Sequence, residues 1–259
     1  MKFRKIISLV LVLCMVTMMP VFATKEPAFD YDVAYRWAID AGFPKEFIDT
    51  IDETFLEKIY YDNKDASCLE VDASCAYYQE NAGNSTRGNI DSAELAFWIV
   101  GGKVVAPEGY IISVNLYVHY DWSEMPIYGL DEDAITVNWD DDVWKFMDDS
   151  FSATFSNLVE DPYDEIAEPA TGNQGGIGWY CPFSNPNYGT PHGRAAFKLE
   201  PKDADLPSGN DNRTSVIATY AHSTVEISNI NLSCTDVGVT ISGSYDHITD
   251  TYTATYGDF

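Results

Sequence analysis

The fold class this sequence predicts is mainly β: an antiparallel β-sandwich or jelly-roll-like domain with a small N-terminal helical hairpin. Three observations point there. From Glu94 onward, short segments of alternating apolar and polar residues recur, separated by clusters of Gly, Pro, Asn and Asp. No helical stripe falls between them, which disfavours an α/β layering. Ahead of them, from Asp30 to Asp62, apolar residues recur at helical spacing instead.

The chain opens with a basic stretch (Lys2, Arg4, Lys5), an apolar run from Ile6 to Met19, then Pro20 and Val21-Phe22-Ala23. That is the order of a secretory signal, cleaved after about Ala23. The run is shorter than the roughly 18–20 apolar residues a spanning helix needs. Cys14 sits inside the run behind Leu13, not after it, which speaks against lipid attachment. No later run reaches spanning length, so the expected mature chain is secreted, with no membrane span, and the compact signal has a bacterial style.

Residues 24–63 read as the helical hairpin. Tyr31, Ala34, Tyr35, Ala38 and Ile39 form one stripe, stopped by Gly42 and Pro44. Phe47, Ile48, Ile51, Phe55, Leu56 and Ile59 form the second, with acids early and Lys58 late, as the helix dipole favours. Such a hairpin buries too little to stand alone and needs a surface to dock on.

Residues 64–259 read as the β-rich domain. The clearest strand is Tyr110 to Trp122. Ile112, Val114, Leu116, Val118, Tyr120 and Trp122 share one face, and Ser113, Asn115, Tyr117, His119 and Asp121 the other. Glu94 to Val105 is a more uniformly apolar strand in which Gly101-Gly102 suggests a bend. Ile135–Trp139, Ala195–Leu199, Ser215–Tyr220 and Val237–Ser244 follow, and Asp246 to Asp250 suggests a hairpin turn. Residues 66–87 show no clear period, and the Gly-, Pro- and Asn-rich stretch 167–191 is the longest loop candidate, with a short strand near Gly175–Tyr180.

Charge narrows the partners. The chain carries 15 basic and 41 acidic residues. Loss of the signal takes away Lys2, Arg4 and Lys5 and no acid, leaving 12 basic residues and a formal charge of −29. Such a surface repels nucleic acid and anionic lipid, so neither is an expected partner.

Four cysteines remain in the mature chain. In an exported protein they read as two disulfides, Cys68–Cys75 and Cys181–Cys234 being the favoured pairing.

The acidic block from Asp121 to Glu168 holds fifteen Asp and Glu against Lys145 alone. Asp140, Asp141 and Asp142 directly follow a strand, and hard carboxylate oxygens in that position make calcium the candidate ion. Their spacing does not match an EF-hand loop. No other cofactor is expected.

No strong catalytic pattern appears. There is no His-Glu-x-x-His and no Gly-x-Ser-x-Gly. His119 reads as a solvated strand residue. His192, beside Arg194 in the long loop, is the best single histidine for chemistry, a base next to an anion clamp.

The aromatic load is heavy, with six Trp and seventeen Tyr. Trp98, Trp122 and Trp139 alternate with apolar strand residues and read as core. Trp179, Tyr180 and Tyr188 are the cluster expected to present rings to a ligand, with His192 and Arg194 nearby.

The functional expectation is a secreted, non-enzymatic binding or interaction protein of the extracellular space or cell envelope, its partner a glycan or another extracellular protein. Two alternatives stand beside it. One is a glycan-active hydrolase using paired carboxylates. The other is a pore-forming, toxin-like protein built on the Thr/Ser-rich C-terminal strands, whose polar outer face at Ser242, Ser244 and Asp246 suits lipid poorly.

Overall fold

The computed structural model describes residues 29–78, 95–123, 132–155, 165–167, 169–182, 190–223, 230–236, 238–243 and 245–256. The signal segment and Tyr188 lie outside the described residues. By its contacts the chain divides into Met1–Asp30 and Tyr31–Phe259, and all the described helices and strands belong to the second unit.

The helical segment forms three helices, α1 (Tyr31–Asp40), α2 (Lys45–Thr50) and α3 (Glu53–Asn63). Helix α1 ends where Phe43 N donates back to Ala38 O at 3.0 Å, with Gly42 at φ 100° supplying the left-handed residue of the turn. The second expected helix is split. Ile51 adopts an extended backbone, and Asp52 caps a fresh start by accepting from Phe55 N at 2.9 Å.

The rest is antiparallel sheet. The first sheet takes β1 (Cys68–Tyr78), β2 (Leu95–Val105), β3 (Ile111–Trp122), β10 (His192–Pro201), β6 (Ser152–Phe155) and β7 (Glu165–Ala167) in that spatial order, with β5 (Trp144–Phe146) also on β10. The second takes β14 (Tyr245–Tyr256), β11 (Ser208–Ser223), β4 (Glu132–Asn138), β9 (Gly176–Pro182) and β8 (Thr171–Asn173). A hairpin of β12 (Asn231–Thr235) and β13 (Gly238–Ser242) forms a third small layer.

Alternation explains the layering. On β3, Leu116, Val118, Tyr120 and Trp122 point inward and meet Ile135, Val137, Trp179, Tyr220 and Tyr252 of the second sheet in one buried core. Each large side chain fully buried there contributes about 1.5–3 kcal/mol. Trp98, Trp122 and Trp139 are all buried, as their positions suggested.

The other face of β3 is also covered, because the three helices dock on it. Asn63 bridges to Tyr117 and Asn115, while Phe43 and Phe55 pack edge-on against the Tyr117 ring. His119, expected in solvent, is 4% exposed and lies against Phe47. Ile112 goes the other way. A register shift between Val104 and Val105 buries Ile111 and leaves Ile112 46% exposed.

Three further expectations change. Gly101 and Gly102 make no bend; they lie mid-strand, and a Cβ on Gly101 would sit 2.1 Å from Tyr252 Cε2, so the glycine admits that ring. Residues 246–250 make no turn either. Strand β14 runs through them, and the turn falls at Gly243, φ 124°. Residues 66–87, without a readable period, contribute the eleven-residue edge strand β1.

The cysteine pairing is also corrected: no disulfide joins Cys68, Cys75, Cys181 or Cys234. Cys68 and Cys75 occupy one straight strand seven positions apart, about 23 Å at strand rise, far beyond the reach of a bridge. Cys181 is buried on β9, whereas Cys234 is exposed on β12 with its Sγ 2.7 Å from Thr171 Oγ1.

Candidate functional site

Where β5 and the β8–β9 hairpin face one another, the sandwich opens into a groove of about 650 Å³. Strand β5 builds one wall, and the acidic triplet forms the turn that leads into it. Asp142 N donates to Asp140 Oδ1 at 3.0 Å, and the N–H groups of Val143 and Trp144 donate to Asp140 O, closing a turn that delivers Trp144. Trp144 is 0% exposed, and among the described residues its indole Nε1 has no hydrogen-bond partner. Phe146 follows on the same strand, tilted against Trp139 and edge-on to Phe197 at 5.7 and 6.1 Å between ring centres.

The opposite wall is the β8–β9 hairpin. Asn173 Oδ1 accepts from Gly175 N at 2.9 Å, while its Nδ2 donates to Thr235 O and Gly238 O on the third layer. Gln174 O accepts from Trp139 Nε1 at 2.6 Å, which leaves the exposed Gln174 amide at the rim. Lys145, Lys202 and Asp148 complete the lining with mixed charge. The groove therefore combines apolar surface at Phe146 and Pro169 with amides, two cations and one carboxylate.

The residues expected from sequence are dispersed. Trp179 is 2% exposed and packs on Phe151 in the core at 5.5 Å. Tyr180, next along β9, faces the opposite side, and its hydroxyl accepts from Leu232 N at 3.2 Å. These two consecutive residues cannot form one ring platform, and Tyr188 lies outside the described residues. Asp140, Asp141 and Asp142 serve the turn, and no three His, Cys, Asp or Glu among the described residues converge as ion ligands.

His192 and Arg194 do come together, on strand β10 instead of in a loop. They line a notch of about 60 Å³ between the helices and the first sheet, with Asp52 and His119. Arg194 forms an ion pair with Asp52 and lies over the Phe55 ring at 5.4 Å, so its guanidinium holds the start of α3 to the sheet. Burial lowers its pKa to about 10. Burial, and then the nearness of His192, push His119 down to about 4, which keeps it neutral. Burial raises the Asp121 carboxyl, with His192 working in the opposite direction.

Sequence reasoning missed the groove. Trp144 was hidden among the surrounding acids, and the Asn173–Gly176 turn looked like an ordinary loop.

No family model matches the chain, and no curated protein matches its sequence. Among solved structures it is similar to ACE19, the collagen-binding subdomain of the Enterococcus faecalis surface protein ACE, with 7% identity over 54% of this chain and 84% of that one, TM-score 0.29. It is also similar to a structure described as a pore forming protein (9% identity, 73% and 95% coverage, TM-score 0.37). A third is the C-terminal domain of the Streptococcus agalactiae AgI/II polypeptide BspA (7% identity, 63% and 58% coverage, TM-score 0.35). Likenesses this distant carry no argument about a ligand.

Proposed function

We propose that the mature chain is a secreted binding protein of the extracellular space or cell envelope, and that the groove between β5 and the β8–β9 hairpin takes a glycan. The groove itself carries the reading. Its volume of about 650 Å³ lies within the roughly 300–1,000 Å³ usual for ligand sites. Phe146 and Pro169 offer apolar surface to sugar C–H groups. Gln174, Lys145 and Lys202 offer donors to hydroxyls. Asp148 is the one carboxylate among the described lining residues, whereas glycoside hydrolysis uses two, which favours binding over the hydrolase reading. No helix among the described residues is long and apolar enough to cross a membrane.

The test is depletion of the purified protein by insoluble polysaccharides and bacterial cell walls, with sugar measured in the supernatant. Depletion without sugar release is expected, weakened by Gln174→Ala combined with Lys202→Glu. Sugar release would overturn the non-enzymatic reading, and depletion unaffected by the double change would move the site elsewhere.

A further inference from the structure

We propose that acid opens the notch beneath the helices: protonation of His119 releases α2 and the start of α3 from the first sheet and uncovers the polar face of β3 and β10. The device is independent of the groove and of any glycan.

The register sets it up. Strands β3 and β10 pair so that Arg194 stands opposite His119 and His192 opposite Asp121. Residues two apart on a strand share a face, so these four form one block on the side of the sheet that the helices cover. His119 is 4% exposed and lines a cavity of only about 60 Å³, roofed by Thr50, Ile51 and Asp52 of the helical segment. Neither ring nitrogen makes a hydrogen bond of normal geometry among the described residues, the Gly193 backbone coming nearest. A proton arriving on this ring therefore creates a charge with little water and no carboxylate bonded to it.

The surrounding groups do not offset that charge. Across the strand pair stands the Arg194 guanidinium, with the His192 imidazole on the diagonal. From α3 comes Asp52, already paired with Arg194. On its own strand are Asp121, whose carboxyl burial pushes towards the neutral form, and Tyr117, whose hydroxyl burial keeps protonated. Strand β2 places the uncharged Trp98 opposite, and α2 brings the uncharged Phe47 and Thr50, since Lys45 and Asp49 pair with each other at the surface.

The sign follows from the two states. With the helices docked, burial and then the nearness of His192 hold the His119 pKa at about 4, whereas a solvated ring has the ordinary value of 6.5. The opened form binds more protons between those values, so docking weakens as pH falls from about 6.5 through 4. Relative to pH 7, the docking constant drops about twentyfold at pH 5. The far end is held by Asn63, whose bonds to Tyr117 and Asn115 involve no group that titrates in this range, so the notch end opens first.

The experiment is amide hydrogen exchange of the purified protein at pH 7 and pH 5, corrected for intrinsic rates and read by peptide mass. Residues 45–56 should lose protection about twentyfold at pH 5, while β11 and β14 keep theirs. His119→Gln, neutral at both pH values, should abolish the acid effect. His192→Gln, at a half-buried position that folding tolerates, should reduce it by removing a group that holds the His119 pKa down. Unchanged protection of residues 45–56 at pH 5, or the same acid loss in both variants as in the parent protein, would overturn the proposal. A parallel loss in β11 and β14 would do so too, because it would mean global unfolding instead of undocking.

Discussion

Asn63 holds the helices to the sandwich, and its replacement by alanine should measure that docking. The side chain is 2% exposed at the end of α3. Its Nδ2 donates to Ile59 O at 2.8 Å and to Tyr117 Oη at 2.6 Å, and its Oδ1 accepts from Asn115 Nδ2 at 2.8 Å. Each such bond contributes about 0.5–1.5 kcal/mol net, and a partner left buried and unpaired adds to the loss. Tyr117 Oη still donates to Asp62 Oδ2 and Asn115 Nδ2 to Asp62 O, both at 3.2 Å, which softens that second part. The expected cost of Asn63→Ala is therefore about 3 kcal/mol. For a urea slope near 3 kcal/mol/M that moves the unfolding midpoint down by about 1 M. Tryptophan fluorescence and far-UV circular dichroism would follow it. Lys58→Ala, which removes only the partly exposed pair with Asp62, should change stability by less than about 0.5 kcal/mol. A midpoint shift for Asn63→Ala no larger than that of Lys58→Ala, at unchanged slope, would refute the docking role.

Other substitutions probe other joints of the structure. Gly101→Ala puts a methyl 2.1 Å from the Tyr252 ring and should cost at least about 1–3 kcal/mol in chemical unfolding, whereas an unchanged midpoint would mean the ring moves freely. Asp52→Ala removes both the α3 cap and the Arg194 pair and should cost about 1–2 kcal/mol, while Asp52→Asn keeps the cap and should lose under about 1 kcal/mol; equal losses would show the cap to be irrelevant. Thiol labelling of the native protein should modify the exposed Cys68 and Cys234 quickly and Cys181 only on unfolding, and reductant should leave the melting curve in place; a reductant-dependent drop would restore the disulfide reading.

Much of the architecture was legible because alternation and helical spacing are local. The inward set on β3 could be read from position 114 to 122, and the three core tryptophans followed from their neighbours. The candidate site was not legible in the same way. His192 and Arg194 stood out as types, yet what Arg194 meets is decided by Asp52, the cap of a helix some 140 positions earlier. Trp179 and Tyr180 looked like one cluster because they are adjacent in sequence, and adjacency on a strand is what separates them.

The sequence by itself determined the fold class, the apolar stripe of the helices and most strand positions, since each depends on residues within one element. Only the tertiary structure decided that both faces of the first sheet are covered, that His119 is buried and that Cys68 and Cys75 cannot pair. It alone decided that β5 and the β8–β9 hairpin line one groove. Those outcomes depend on which surfaces are brought together at long range, where a strand's pattern is silent about what packs against its polar face and where one bulge reverses which side chain is hidden.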